Sequence, residues 1–166
     1  MNHLLKLPDR LKAISGYIGA GASVADIGTD HGFLPVFLAQ SGLACRIIAS
    51  DISAGSLEAA RRTAAKYKVS ERIEFLNAPG LDGVAPADAD TIVISRLGGE
   101  TIIDILSNAP WTKNKNIKLI LQPQSKIDVL FKFLYNNGYM IRRTSSVREK
   151  ERSYTVVLVT GCNEFC

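Results

Sequence analysis

Two short stretches carry the residue types best suited to chemistry. Between Asp26 and Gly32 the chain places Asp26, Thr29, Asp30 and His31 among Gly28 and Gly32, directly after the run Ser23 to Ile27. Asp51 follows Asp26 by 25 residues and closes a second run, Arg46 to Asp51. A glycine turn after a strand lets backbone approach a ligand closely. An acid ending the next strand is positioned for ribose hydroxyls. Dinucleotides and S-adenosylmethionine both use that arrangement, and two features separate them. The dinucleotide fingerprint wants G-x-G-x-x-G, whereas Gly28 and Gly32 are spaced G-x-x-x-G. Asp30 also stands where a diphosphate would lie and would repel it. A sulfonium is cationic and tolerates nearby carboxylates. The expected cofactor is therefore S-adenosylmethionine, held by Asp26, Gly28, Thr29, Gly32 and Asp51.

These residues need strands and helices to position them. Leu7, Leu11, Ile14 and Ile18 form one apolar stripe of a helix beginning near Pro8. Strands are expected at residues 23–27, 46–51, 72–77, 91–95 and 118–122. Helices are expected at 33–41, from Ser53 or Ala54 to Lys68, after Gly98 and Gly99, and around Ile127 to Leu134. Such alternation implies βαβ units: an α/β, Rossmann-like, mostly parallel seven-stranded sheet. Tyr139–Thr144 and Tyr154–Thr160 have no helix between them. They should pair as an antiparallel edge hairpin, joined by the charged segment Arg148 to Arg152.

The 166 residues favour a single domain, 1–166, and 46% hydrophobic against 22% charged residues argues against disorder. Apolar runs are strand-sized, so no membrane span is expected. No continuous apolar leader is present, and three cysteines at irregular spacing fit a reducing cytoplasm. Cys162 and Cys166 have no second ligand pair, so no metal site is expected. Residues 1–100 carry a net −1 and residues 101–166 a net +5. That asymmetry points to an anionic partner or to a solvated basic face.

The stretch Val24 to Pro35 resembles the first motif of the bacterial tRNA adenine-N1 methyltransferases of the TrmK family. Arg10-Leu11, Ile48 to Asp51, Asp90 to Ile94 with Gly98-Gly99, Leu119 to Pro123 and Asn137 to Tyr139 resemble its other segments. The resemblance spans about residues 4 to 160. It implies a Rossmann-like enzyme using S-adenosylmethionine on an adenine of the tRNA D-arm, with tRNA as partner and a homodimer left open. It adds Ile52, Gly80, Leu81 and Ser95 to the cofactor set and Arg96, Gly98 and Gly99 to the substrate set. The chain departs from the family pattern in three places. Ala78 to Leu81 replaces a turn that usually carries an acid or Asn. Arg96 stands in a small-residue segment. The family's helical C-terminal extension has no counterpart before Cys166.

Adenine N1 attacks a methyl with its own lone pair, so the chain must position the reactants, exclude water and stabilise positive charge. Asp30, His31 and Arg10 are the candidate catalytic residues. Asp30 would balance charge on the base and take a proton from its amine. The competing assignments are a helix cap for Asp30, a structural imidazole for His31 and a solvated cation for Arg10. Gly98 and Gly99 either admit the base or start a helix. Lys113, Lys115, Lys118, Arg142, Arg143, Arg148, Lys150 and Arg152 suit RNA phosphates. A methyltransferase of another substrate and a non-catalytic module binding S-adenosylmethionine or RNA remain alternatives.

Overall fold

In this computed structural model, which describes residues 3–162, the strands are β1 (Ala22–Ile27), β2 (Ala44–Asp51), β3 (Glu74–Asn77), β4 (Thr91–Gly98), β5 (Lys118–Ser125), β6 (Tyr139–Glu149) and β7 (Arg152–Gly161). The helices are α1 (Asp9–Ser15), α2 (Phe33–Ser41), α3 (Ala54–Lys66), α4 (Gly99–Ser107) and α5 (Ile127–Asn136). All strands join one sheet in the order β3-β2-β1-β4-β5-β7-β6. β1 to β5 are parallel, and β7 pairs antiparallel with both β5 and β6.

The central strands are nearly continuous Val, Ile, Leu and Ala because helices cover both faces. Leu11, Ile14, Leu34, Leu38 and Ala64, from α1, α2 and α3, pack on one face with Val24 and Ile120. Ile102, Leu106, Leu130 and Leu134, from α4 and α5, pack on the other with Ile92 and Leu119. Strand order reverses between β1 and β4. A crevice therefore opens at the C-terminal ends of those strands, where ligands of such sheets bind.

Several boundaries differ from expectation: β2 begins two residues earlier, at Ala44, α3 ends at Lys66, and β5 runs on to Ser125. Residues 70–72 form a 3-10 turn, so β3 begins only at Glu74. β4 runs beyond Ser95 to Gly98, with its register broken around Arg96. The charged segment Arg148 to Arg152 belongs mostly to the hairpin ladder: Arg148 pairs with Ser153 and Glu149 with Arg152. The turn narrows to Lys150 and Glu151, with Lys150 in the left-handed region at φ 57°.

Gly98 and Gly99 start α4 against the turn between β5 and α5. A Cβ on Gly99 would lie 2.4 Å from the Lys126 carbonyl oxygen and 2.9 Å from that of Ser125. Both are backbone atoms that cannot swing aside. Gly99→Ala is expected to lower unfolding stability by about 1–3 kcal/mol in denaturant titration, through overpacking. An unchanged midpoint would show that the two backbones separate freely.

Candidate active site

The loop after β1 is built on left-handed residues. Gly28 has φ 77°, Asp30 56° and Gly32 73°. Glycine adopts this region without strain, whereas an aspartate there is uncommon and Asp or Asn tolerates it best. The amides of Gly28 and Thr29 donate to the Ser50 carbonyl at 2.9 and 3.0 Å, tying the loop to the end of β2. Asp30 does not cap α2: the N-cap is Gly32, and no side chain bonds the helix start. Its amide instead donates to Asp51 Oδ2 at 3.0 Å.

Asp51 is buried, and its other carboxylate oxygen accepts from the Ser53 amide at 2.9 Å. Each oxygen keeps lone-pair capacity, since a carboxylate offers about four acceptor sites. The Asn77 amide fixes the turn by donating to the carbonyls of Asp51 and Ile52. Ile52 then stands 73% exposed at the rim, an uncovered apolar surface. Asp51 and Ile52, with Gly28, Asp30, Gly80, Leu81, Asp82, Ser95 and Arg96, line a cavity of about 590 Å³. Its far wall is α4, against which Gly80 is pressed so closely that a Cβ would meet Ile105 Cγ1 at 3.0 Å. Open acceptors on Asp51, apolar Ile52 and the carboxylate of Asp30 fit a nucleoside bearing a cation, and S-adenosylmethionine is of that type.

Asp26 lies behind this wall. It is 3% exposed and does not line the cavity. Burial pushes its carboxyl up to about 7, and the Thr29 hydroxyl and the charge of Arg10 only partly oppose the rise. Arg10 is also buried, and burial followed by the charge of Arg96 lowers its pKa. Its Nη1 donates to Gln122 Oε1 at 3.4 Å. The same oxygen accepts from the Arg96 amide at 3.2 Å, in place of a ladder bond lost where β4 bulges.

The bulge turns Arg96 toward the β1–α2 loop. Its Nη1 donates to Asp30 Oδ2. His31 Nε2 lies 3.9 Å from the other Asp30 oxygen, and its ring stacks on Phe33. The imidazole is 57% exposed, unlike a core histidine. On the far side of Arg96 a second cavity of about 750 Å³ is lined by residues including Arg10, Phe33, Arg96, Gln124, Lys150 and Tyr154. Arg96 and Gln124 are common to both cavities.

Of the residues expected to hold a cofactor, Gly28, Asp51, Ile52, Gly80, Leu81 and Ser95 line the first cavity, together with Asp30 and Arg96. Asp26, Thr29 and Gly32 support it from behind. A Cβ on Gly32 would meet Ala60 Cβ at 2.8 Å, so that glycine serves helix packing. Gly98 and Gly99 face the β5–α5 turn rather than either cavity, which is the helix-start assignment. Sequence reasoning missed Gln122, Asn77, the α4 wall of Thr101, Asp104 and Ile105, and Asn108 just past the end of α4. It also missed Asp82, an acid on the cavity one residue beyond the turn that lacked one. Trp111 lines the lower end of the cavity and packs on the core. Among the described residues no group of three or more His, Cys, Asp or Glu could hold a metal ion, and Cys166 lies outside them. No helix there is long and apolar enough to cross a membrane.

Comparison with known proteins agrees with this fold. A family model described as a methyltransferase domain matches residues 7–157. The crystal structure of the Bacillus subtilis M1A22 tRNA methyltransferase TrmK superposes with a TM-score of 0.88 at 31% identity, covering 95% of this chain and 67% of that one. The chain belongs to the methyltransferase domain family, in its TrmK branch. The curated tRNA (adenine(22)-N(1))-methyltransferase of B. subtilis is 31% identical over 154 residues, 93% of this chain and 65% of the relative. Mycoplasma capricolum TrmK, solved with S-adenosyl-homocysteine, is 25% identical with a TM-score of 0.81, over 98% of this chain and 71% of that one. The chain spans 61–65% of the length of the curated relatives from B. subtilis and two mycoplasmas.

Proposed function

We propose that this chain is a single-domain, S-adenosylmethionine-dependent methyltransferase that transfers a methyl group to N1 of an adenine in tRNA, working in the cytoplasm. The observation that carries the reading is the convergence of Asp51, Ile52 and Asp30 on one cavity at the point where strand order reverses. A diphosphate would meet two carboxylates there, whereas a nucleoside with a cation meets hydroxyl acceptors and a matching charge. The TrmK structures and the B. subtilis relative support the same substrate class.

The donor, when bound, supplies an electrophilic methyl group. Asp51 accepts hydrogen bonds from ribose hydroxyls, and the Gly28 turn leaves backbone bare for close approach. The acceptor N1 uses its own ring lone pair, so the chain needs no base to begin. Asp30 balances the positive charge growing on the base and takes a proton from its exocyclic amine. His31, beside Asp30 and exposed, contacts the base or a phosphate. Lys150, Arg152 and their basic neighbours in the hairpin hold RNA electrostatically.

Titration calorimetry with S-adenosylhomocysteine and with NAD tests the cofactor. Heat with the first and none with the second is expected, and no heat with the first overturns the reading. Total tRNA incubated with labelled donor should then yield 1-methyladenosine. The Arg96–Asp30 pair favours a second reading, a non-catalytic binding module, because it neutralises the proposed catalytic carboxylate. That reading expects donor binding and no label in any RNA or protein pool. Sedimentation equilibrium decides between monomer and homodimer.

A further inference from the structure

Arg96 occupies a position that no ordinary strand residue would hold. Its φ is 65°, a conformation in which a side chain with a Cβ is strained and which glycine adopts freely. Strain of this kind persists where the surroundings over-determine it, and it clusters at functional sites. Here the determinants are visible. The β4 register breaks at Arg96, between Ser95 and Leu97, and again between Leu97 and Gly98, and such bulges re-aim a side chain. Gln122, fully buried, accepts the displaced amide and holds the bulge in place. The guanidinium thus projects into the partition between the two cavities, lining both, with its side chain 53% exposed and Asp30 as its partner.

We propose that Arg96 is a phosphate-binding latch: it holds Asp30 while the second cavity is empty, and leaves it for a backbone phosphate of the RNA acceptor entering that cavity. The inference rests on the proposed RNA methyltransferase activity. Three observations support it. A guanidinium offers five donors in a rigid fork, and its bond to Asp30 uses Nη1, so donors remain for an incoming oxyanion. Exchange of one anion for another leaves the Arg96 guanidinium paired in both states. Release frees Asp30 to face the acceptor base at the moment the base arrives. The second cavity contains what a nucleotide needs besides Arg96: the rings of Phe33 and Tyr154 and the cations Arg10, Lys150 and Arg152. Glu149 and Glu151 on the same wall oppose the phosphate, which leaves the cationic side of the partition as its place.

Arg96→Gly is the informative variant, because glycine relieves the backbone and removes only the latch. Wild type, Arg96→Gly and Arg96→Lys are compared for tRNA binding across a salt series, for methyl transfer and for S-adenosylhomocysteine binding. Arg96→Gly is expected to stay folded, to bind S-adenosylhomocysteine as wild type does, and to weaken tRNA binding about tenfold. The slope of log affinity against log salt should fall by about one, the signature of a single lost phosphate contact. Arg96→Lys should restore the salt slope, since it keeps the charge. An unchanged slope in Arg96→Gly overturns the latch even if activity falls. So does a faster Arg96→Gly enzyme with unchanged tRNA affinity, which would make Arg96 a mere obstruction. Failure of wild type itself to bind or methylate tRNA removes the functional reading and the latch with it.

Discussion

Asparagine in place of Asp30 is expected to lower the rate of methyl transfer into tRNA by about 100-fold or more, the range for loss of a positioned proton acceptor. The substitution is nearly isosteric, and asparagine tolerates the left-handed backbone at φ 56° as aspartate does. The amide bond to Asp51 comes from the main chain and survives. Folding and S-adenosylhomocysteine binding should therefore be retained, so that the loss appears in kcat rather than in stability. What changes is the negative charge facing the acceptor. A neutral amide neither balances charge on a methylated adenine nor takes its amine proton. Single-turnover label transfer with saturating donor and tRNA checks this. A wild-type rate in Asp30→Asn would reduce Asp30 to a structural partner of Arg96, and the carboxylate role in catalysis would have to move elsewhere on the cavity, where Asp82 and Asp104 are acids besides Asp51.

Much of this site was legible because its parts are local. The Gly28–Gly32 loop, Asp51 and the strands that carry them lie in short contiguous runs, and period-two and helical patterns mark the elements around them. The alternation of strand and helix was sufficient for the parallel sheet, and the absence of a helix after residue 139 for the edge hairpin. What escaped are pairings between distant segments. Gln122 meets Arg10 across 112 positions and the Arg96 amide across 26. After the apolar run Leu119 to Leu121 that glutamine reads as a strand end, and nothing within β5 shows that it is buried. The bulge at Arg96 escaped for a related reason: its replacement hydrogen bond comes from another strand. Gly98-Gly99 and Gly32 show why a glycine at a strand end is ambiguous in sequence. It can admit a ligand, or it can admit another backbone or side chain. Only the neighbours, Lys126 and Ala60, separate the two. The hairpin extends beyond its expected ends because charge is an unreliable loop signal. On an exposed edge strand, charged residues are equally at home in the ladder and discourage pairing with other chains.

Asp26 leads to the second large effect. It is an acid with an ordinary value of 3.8 in the unfolded chain and about 7 in the fold, raised chiefly by burial. The folded state therefore holds this proton more tightly than the unfolded state. Its contribution to stability is fully present below about pH 4 and is lost as pH rises toward 7, where the buried carboxyl must ionise. The rise from 3.8 to about 7 corresponds to on the order of 4 kcal/mol. Asparagine resembles the protonated carboxyl in shape and carries no ionisable group. Asp26→Asn should thus match wild type near pH 4 and exceed it increasingly up to about pH 7, after which the difference stays constant. Comparing the two proteins at each pH cancels the titration of the other carboxylates. Arg10 sets the limit of the gain, because the ionised Asp26 is its neighbour and asparagine leaves that guanidinium without the charge. Chemical unfolding of both proteins at pH 4, 6 and 8 decides the matter. A variant less stable than wild type at pH 8 would mean that the attraction of ionised Asp26 to Arg10 outweighs the burial of both.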